Sequence, residues 1–263
     1  MLYAQPTGLN GPNRQMNVVA IIPCRYASKR FEGKPLMPIL GKPMIQWVWE
    51  RAKEAAILAD VVVATDDERI YGCVEGFGGR ALMTAPTHRS GSDRAAEAAQ
   101  SLGLKDEDIV INIQGDQPAF DPRSLSEVVS PLIDDPKLVM TTLIYRITDP
   151  AEIEDPNCVK CVFDKDNFAL YFSRSLIPFG PPPADSVSFD IFKHLGIYAF
   201  RKHFLERFAS LPQGRLEAIE KLEQLRAMEH GYRIKVVKTS YDSKEVDTLE
   251  DIEKIEMVLG NTS

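Results

Sequence analysis

The chain has 263 residues, which is enough for one large α/β domain or for such a domain with an inserted lobe. Its 44% hydrophobic and 26% charged residues are ordinary for a folded domain, and no apolar run approaches the roughly 20 residues of a membrane span. The net charge of −7 argues against general nucleic-acid binding, and four cysteines without a secretory signal predict a cytoplasmic protein.

The amino-terminal segment, residues 1–15, shows no periodicity and is rich in Gly, Pro and Asn. The first ordered pattern begins at Met16 with MNVVAIIP. We therefore expect a flexible extension over residues 1–15 and a single domain over residues 16–263.

The first predicted strand runs directly into a basic loop. The stretch 18–22 is almost entirely β-branched, as expected for a central parallel strand covered on both faces, and Pro23 ends it. The loop that follows combines cations with small residues: Arg25, Ser28, Lys29, Arg30, Gly33 and Lys34. Because ligands of open α/β sheets bind at the carboxyl ends of strands, and cations suit phosphate oxygens, the loop predicts a phosphate site. A solvated basic loop is the alternative, and the Walker A pattern is absent.

The next elements alternate between helix and strand. A helical stripe over 44–58 follows Pro43, and ADVVVATDD predicts a second buried strand. Asp67 is expected to cap a helix that ends at Gly78, and ALMTA predicts a short third strand. This βαβαβ order predicts parallel strands joined by right-handed crossovers.

Two polar stretches lie next to later predicted strands. In THRSGSDR, Ser90 begins a predicted helix, and either it only caps that helix or the helix N-terminus contacts a phosphate or a base. In DIVINIQGDQP, Asp116 comes just after a strand, where α/β enzymes place a metal-binding carboxylate. A plain turn residue before Pro118 is the alternative for Asp116.

The pattern changes from about residue 137, where strand-like segments follow one another without long helices and predict antiparallel or mixed additions to the sheet. Cys158 and Cys161 form a lone C-x-x-C, which favours packing thiols over a zinc site. In KHLGIYAFR, alternation places His194 and Tyr198 on one face, which suits a polyol or carboxylate ligand. A histidine satisfied within the sheet is the more common case.

The last third of the chain predicts two helices. RLEAIEKLEQLRAMEHG predicts one amphipathic helix with five apolar side chains inward: Leu216, Ile219, Leu222, Leu225 and Met228. Glu223 and Gln224 would ordinarily lie on its solvated face. Thr248 is expected to cap the final helix. Asp247, just before it, is either a turn residue or a second carboxylate brought near Asp116.

Taken together, these stretches resemble one enzyme family. IIPCRYASKRFEGKPL, THRSGSDR, VINIQGDQP, ALYFSR, KHLGIYAF, LEAIEKLEQLR and EVDTLEDIE are similar to the cytidylyltransferases that activate 3-deoxy-manno-octulosonate (Kdo). The resemblance implies an α/β, Rossmann-like nucleotidyltransferase fold, with a mainly parallel central sheet and a smaller mixed-sheet lobe at about 137–230 for sugar binding and dimerisation. It also implies a homodimer, the substrates CTP and an acidic eight-carbon sugar, Mg²⁺, and a product that feeds lipopolysaccharide synthesis.

The resemblance assigns roles to individual residues. CTP would be bound by Arg25, Ser28, Arg30, Lys34, Ser90, Ser92 and Arg94, and the sugar by Gln114, Arg174, His194, Tyr198, Glu223 and Gln224. Asp116 and Asp247 would hold the metal, and together with Lys34 and Arg30 they would carry catalysis. Arg174 is a candidate partner for the carboxylate of the substrate.

The chain departs from this family at two positions, with Gln117 in place of the usual Glu and Cys24 in place of Ala. Similar enzymes also accept the 8-amino analogue of Kdo, so either sugar is expected. Activation of another acid sugar such as a sialic acid, or nucleotide binding without turnover, are the alternatives. The implied reaction is attack of the anomeric hydroxyl on the α-phosphorus of CTP, with charge neutralisation and metal activation of the hydroxyl.

Overall fold

A computed structural model of the chain describes residues 16–27, 32–180, 190–246 and 248–260. The predicted extension over 1–15 and the predicted site residues Ser28, Arg30 and Asp247 lie outside the described residues, so these expectations stay predictions. Within the described ranges, every helix is too short or too polar to cross a membrane.

Strands and helices alternate in the first half of the chain, and strands dominate the middle. The strands of the described residues are β1 Val18–Cys24, β2 Pro38–Ile39, β3 Lys42–Pro43, β4 Asp60–Thr65, β5 Arg80–Met83, β6 Ile109–Asn112, β7 Met140–Arg146, β8 Lys160–Phe163, β9 Ala169–Ser173, β10 Phe192–Arg201 and β11 Lys235–Thr239. The helices of the same ranges are α1 Met44–Lys53, α2 Glu68–Gly76, α3 Gly91–Ser101, α4 Arg123–Asp134, α5 Ala151–Glu154, α6 Lys202–Ser210, α7 Arg215–Glu220, α8 Gln224–Glu229 and α9 Leu249–Gly260.

The main sheet has a parallel centre and antiparallel additions. Its strand order is β11-β7-β10-β6-β1-β4-β5, and β1 pairs in parallel with both β4 and β6. β4 pairs in parallel with β5, which confirms the predicted βαβαβ order. β10 runs antiparallel to β6 and β7, and β8 and β9 extend from β10 as an antiparallel ladder. The predicted fold class is therefore confirmed.

Helices cover both faces of the central strand β1. Ala20 and Ile22 pack with side chains of α1 and α4, whereas Val19 and Ile21 pack on the opposite face with side chains of α3 and α6. Successive residues of a strand point to opposite faces, so a strand covered on both sides needs an unbroken apolar run. β1 is buried along its whole length, and the basic loop begins directly after it.

The single amphipathic helix predicted between Gly214 and Gly231 is wrong. α7 ends at Glu220, Lys221 adopts the left-handed conformation with φ 59°, and α8 begins at Gln224. Two of the side chains predicted to face inward, Leu216 and Ile219, are 37% and 65% exposed.

A buried ion pair explains this break. The carboxylate of Glu217, in α7, accepts two hydrogen bonds from Arg226, in α8, at 2.7 and 2.9 Å, and both side chains are almost fully buried. Arg226 also contacts Asp93 at 3.1 Å. Buried charges persist only when they are paired, so this contact requires α8 to fold back against α7. Hydrophobic periodicity carries no information about such a contact.

Candidate active site

The carboxyl ends of β1 and β6 lie side by side and open into a cleft of 260 Å³. We call it the cationic cleft. Its polar wall consists of Arg25, Lys34, His88, Arg89, Ser90, Arg94, Gln114 and Asp116. Four of the five described residues predicted to bind CTP therefore meet at one strand-end cleft, where open α/β sheets bind ligands.

The basic loop is anchored to the opposite side of the cleft by an ion pair. Lys34 Nζ lies 2.7 Å from Asp116 Oδ2, with 12% of the Lys34 side chain and 31% of the Asp116 side chain exposed. The chain reaches Lys34 through Gly33, whose φ of 73° favours glycine and whose added Cβ would lie 3.0 Å from Tyr26 Oη. The loop thus places a cation directly against the predicted metal-binding carboxylate.

The N-terminus of α3 forms part of the same cleft. Ser90 Oγ accepts a hydrogen bond from the Asp93 N–H, and the Asp93 carboxylate accepts one from the Ser90 N–H, both at 3.2 Å. This capping box confirms the cap that the sequence predicted. Ser90 and Gly91 also line the cleft, and the predicted contact of the helix N-terminus with a phosphate or a base stays a prediction. Free N–H groups at a helix N-terminus favour an anion.

Arg94 and Ser92 differ in what they expose to the cleft. Arg94 lines it, although only 4% of the residue is exposed and its guanidinium is held by Asp66 at 3.2 Å and by the Thr84 hydroxyl. Ser92 is fully buried, and its hydroxyl is engaged beneath a second cavity instead. The structure therefore gives no support for a direct contact between the Ser92 side chain and CTP.

The second cavity has a volume of 360 Å³ and shares Gln114 and Asp116 with the cationic cleft. We call it the polar cavity. All six residues predicted to bind the sugar line it: Gln114, Arg174, His194, Tyr198, Glu223 and Gln224. These residues come from four separate parts of the chain, and the structure brings them together. Asp116 lies at the junction of the two cavities.

The floor of the polar cavity contains hydrogen-bonding atoms that the protein leaves unpaired. Ser92 Oγ donates to Glu223 Oε1 at 2.9 Å and accepts from Asn112 Nδ2 at 3.0 Å. Tyr198 Oη donates to Gln224 Oε1 at 2.9 Å. Among the described residues, nothing bonds Glu223 Oε2 or Gln224 Nε2, although both atoms are buried. One acceptor and one donor left unpaired are suited to a hydroxylated ligand, because an unpaired buried polar group is costly.

Burial shifts the pKa values of several groups at the two cavities. It lowers the pKa of His194 from 6.5 to about 3, so the imidazole is neutral at physiological pH. It raises the pKa of Glu223, more than the hydrogen bond from Ser92 lowers it. Burial and the nearby Asp116 charge raise the pKa of Cys24, so this thiol stays protonated and is a poor nucleophile.

Arg174 is fixed at the rim of the polar cavity by backbone carbonyls. Its Nε donates to the Glu220 carbonyl at 2.7 Å, and one terminal nitrogen donates to the Pro156 carbonyl at 2.9 Å. These bonds orient the guanidinium without neutralising its charge. The predicted contact between Arg174 and a substrate carboxylate remains a prediction.

The structure explains why the chain has Gln117. The residue is fully buried, and its Nε2 donates to the Leu195 carbonyl at 2.6 Å and to Glu245 Oε1 at 3.1 Å. A glutamate there would place a carboxylate against two acceptors and lose both bonds. A Cβ on Gly196 would lie 3.3 Å from both Gln117 Nε2 and Glu245 Oε1, so glycine leaves space for this pair.

Sequence reasoning missed several residues of both cavities. Asn157, Lys221 and Glu245 line the polar cavity, and His88 and Arg89 line the cationic cleft. A signal existed for the last two, because they directly precede Ser90 in THRSGSDR. No local pattern distinguished the other three from ordinary surface residues.

A second acidic residue near Asp116 was predicted at position 247. The structure does not describe that residue, but the preceding Val246 N–H donates to the Asp116 carbonyl at 2.9 Å. The segment that leads to residue 247 is therefore bound to the strand-end loop of β6. Cys158 and Cys161 are free thiols, and within the described ranges no three His, Cys, Asp or Glu side chains group closely enough to hold a metal.

A strand-end cleft lined by cations, joined at one carboxylate to a polar cavity, is an arrangement suited to transfer of a nucleotide to a second substrate. A sequence profile of the cytidylyltransferase family matches residues 19–238. The chain belongs to the cytidylyltransferase family and is an enzyme of that class.

Two relatives extend over nearly the whole chain. A 3-deoxy-manno-octulosonate cytidylyltransferase of Desulfosudis oleivorans is 57% identical and covers 94% of this chain and 98% of its own length. An 8-amino-3,8-dideoxy-manno-octulosonate cytidylyltransferase of Shewanella sp. (strain ANA-3) is 56% identical, with coverage of 93% and 99%. The two relatives are named for different sugars, and their identities to this chain are almost equal.

A solved structure supports the same family. CMP:2-keto-3-deoxy-manno-octonic acid synthetase, complexed with CTP, superposes with a TM-score of 0.86 at 41% identity. The match covers 94% of this chain and all of that chain. A cytidylyltransferase from Leptospira borgpetersenii, at 17% identity and a TM-score of 0.60, shares the fold.

Proposed function

We propose that this enzyme transfers CMP from CTP to the anomeric hydroxyl of an acidic eight-carbon sugar, Kdo or its 8-amino analogue, and releases pyrophosphate. The observation that carries this proposal is the junction of the cationic cleft and the polar cavity at Asp116. It would bring a triphosphate and a sugar together at one point. The relatives named for these two sugars, and the related structure with CTP, support the choice of substrates.

The main physical difficulty of the reaction is the approach of two anions. A bond forms from the anomeric oxygen to the α-phosphorus while the bond to the pyrophosphate oxygen breaks. Arg25, Lys34 and Arg89 line the cleft and would offset the repulsion between the triphosphate and the sugar carboxylate. Positioning and charge neutralisation are the main contributions that a protein makes to phosphoryl-type transfer.

A magnesium ion fits the residues at the junction. Mg²⁺ binds through one or two protein carboxylates and completes its coordination with substrate phosphates and water, so a single described carboxylate is compatible with it. Asp116 would hold the ion together with Asp247. When bound, Mg²⁺ would supply further neutralisation of phosphate charge and lower the pKa of the attacking hydroxyl. Lys34, which pairs with Asp116 in the structure, would be available to the phosphates once the ion takes that carboxylate.

The polar cavity would hold the sugar through hydrogen bonds at its floor. Glu223 Oε2, the unpaired acceptor, would accept a hydrogen bond from one hydroxyl group, and Gln224 Nε2, the unpaired donor, would donate one to a hydroxyl oxygen. Arg174, at the rim, would attract the carboxylate. The floor of the cavity would therefore recognise hydroxyl groups, and the rim would recognise the carboxylate.

We further propose that the enzyme is a cytoplasmic homodimer whose product feeds lipopolysaccharide synthesis. Free thiols at all four cysteines support a reducing compartment. Large apolar side chains exposed on the lobe, Leu170 at 60% and Ile219 at 65%, support assembly through that region. Sedimentation of the purified chain would test the dimer.

Pyrophosphate release tests the proposed reaction. The chain would be incubated with CTP and Mg²⁺ plus Kdo, 8-amino-Kdo or a sialic acid, with UTP replacing CTP as the nucleotide control. We expect turnover with one or both eight-carbon sugars, with the CMP ester of that sugar as the product. Turnover with sialic acid alone, or none with any sugar, would refute the proposal.

A further inference from the structure

A buried threonine lies behind the histidine of the polar cavity. Thr142, in β7, is completely buried, and its Oγ1 lies 2.8 Å from His194 Nε2 and 2.8 Å from the Ile197 carbonyl oxygen. A hydroxyl has one proton to donate, and a carbonyl oxygen can only accept. Thr142 therefore donates to Ile197, and its oxygen accepts a hydrogen bond from the Nε2–H of His194.

A bulge in β10 creates this contact. The register with β7 shifts between His194 and Tyr198, and residues 195–197 have no ladder partner in β7. Gly196, within the bulge, adopts φ 69°, a conformation that favours glycine. Because the ladder is irregular here, Ile197 has no ladder partner in β7. Its carbonyl accepts a hydrogen bond from the side-chain hydroxyl of Thr142 instead. Bulges next to active sites commonly redirect a side chain in this way.

The imidazole is neutral, so its two nitrogens have different roles. Its ring is partly buried and packs against Phe172 and Tyr198 at centroid distances of 5.1 and 5.2 Å. With the proton on Nε2, Nδ1 has a lone pair and can only accept. In the described part of the chain, no group forms a hydrogen bond with Nδ1. The atom is also not fully buried. His194 lines the polar cavity, which is where a ligand could reach Nδ1.

We propose that Thr142 is a positioning residue that holds His194 as the Nε2–H tautomer, so that Nδ1 accepts a hydrogen bond from a donor group of the sugar. The inference rests on the proposed function, because it assigns a partner within the proposed sugar site. A hydroxyl or an ammonium group of the substrate satisfies this nitrogen. A carboxylate or carbonyl oxygen at the same point is repelled, which orients the sugar in the cavity.

Three variants separate this role from a structural one. Thr142→Val keeps the shape and removes the hydroxyl, whereas Thr142→Ser keeps the hydroxyl. Thr141→Val is the matched control, because Thr141 is also fully buried and donates to a carbonyl, that of Val128 at 2.5 Å. Neighbouring residues of a strand face opposite sides, so Thr141 points away from the cavity.

The kinetic readout is the KM for each substrate. Thr142→Val is expected to raise the sugar KM about tenfold, the value of one hydrogen bond, and to leave the CTP KM within about twofold. Thr142→Ser and Thr141→Val should keep a sugar KM close to that of the wild type. The inference is overturned if Thr142→Val and Thr141→Val change the sugar KM equally, or if the sugar KM of Thr142→Val stays unchanged.

The spectroscopic readout is the tautomer itself. Long-range ¹⁵N–¹H spectra of the four histidines, with His194→Gln to assign the signal, should show the Nε2–H form in the wild type and a mixed form in Thr142→Val. Added Kdo should move the Nδ1 resonance of the wild type. An Nδ1–H wild type, or an Nδ1 signal that does not respond to a sugar that binds, would contradict the inference. Binding without turnover would instead refute the proposed function and leave the inference standing.

Discussion

The cationic cleft and the polar cavity are built in different ways. The cleft consists mostly of residues that directly follow strands β1 and β6 or begin α3, so short motifs place its side chains. The polar cavity takes side chains from β10, from the α7–α8 turn and from the segment after β11, which only tertiary folding brings together. Variants of the cleft should therefore act on CTP and the chemical step, and variants of the cavity on the sugar.

The largest loss of activity is expected for a substitution of Asp116, at the junction of the cationic cleft and the polar cavity. Asp116→Asn should lower kcat by a few orders of magnitude, because it removes a charge that would hold the metal, while the fold remains intact. Pyrophosphate release measures the loss, and circular dichroism with thermal melting checks the fold. Near-normal CTP consumption by this variant would break the assignment of the junction.

A smaller effect is expected on the cleft side alone. Lys34→Met keeps the aliphatic stem but removes the ammonium group that lies 2.7 Å from Asp116. The CTP KM should rise about tenfold to a hundredfold, since charge-assisted bonds are the stronger ones, with the sugar KM nearly constant. Lys42→Met, a variant of a half-exposed lysine paired with Glu50, is the control and should leave both constants unchanged. An equal rise of both KM values for Lys34→Met would erase the distinction between the two regions.

Glu223→Gln tests the polar cavity, and it should also change how the free energy of unfolding depends on pH. The sugar KM should rise about tenfold, because an amide replaces one acceptor oxygen with a donor.

Burial raises the pKa of Glu223 above 4.5, so above pH 4.5 the unfolded chain releases this proton more readily than the native state does. The free energy of unfolding therefore falls as pH rises through that window, and glutamine removes this loss.

Denaturant unfolding of both proteins measures the pH effect of Glu223→Gln. The stability of the variant relative to the wild type should increase from below pH 4.5 to neutral pH. A difference that is independent of pH would show that burial does not raise the pKa of Glu223.

The smallest kinetic effect is expected at Gln117, which connects β10 to the segment after β11. Gln117→Glu loses bonds to the Leu195 carbonyl and to Glu245, and it should destabilise the fold by about 1–3 kcal/mol. Because Glu245 lines the polar cavity, the sugar KM should rise more than the CTP KM. Combining Gln117→Glu with Glu245→Gln should recover part of the stability, since one repulsive contact is removed. No recovery would indicate that the Leu195 bond alone determines the effect.

Local sequence predicted most of the sheet and the cleft. The apolar run of β1, the Asp67 cap and the Ser90 capping box depend on neighbours within a few residues, so their patterns were sufficient. Prediction of the α7–α8 region was wrong because Glu217 and Arg226 form a buried pair with Asp93, which is more than a hundred residues away. Periodicity describes one face of a helix and cannot detect a distant charge.

The order of strands and helices and the cationic loop after β1 follow from local sequence, because burial periodicity and capping act over short distances. The chain's resemblance to a family also indicated which residues to expect in the sugar site. Three contacts became visible only in the folded chain: Gln117 with Glu245, Ser92 with Glu223 beneath the cavity, and Thr142 with His194. Those contacts join distant segments, and their hydrogen-bond geometry depends on a bulge and a broken helix that no local pattern specifies.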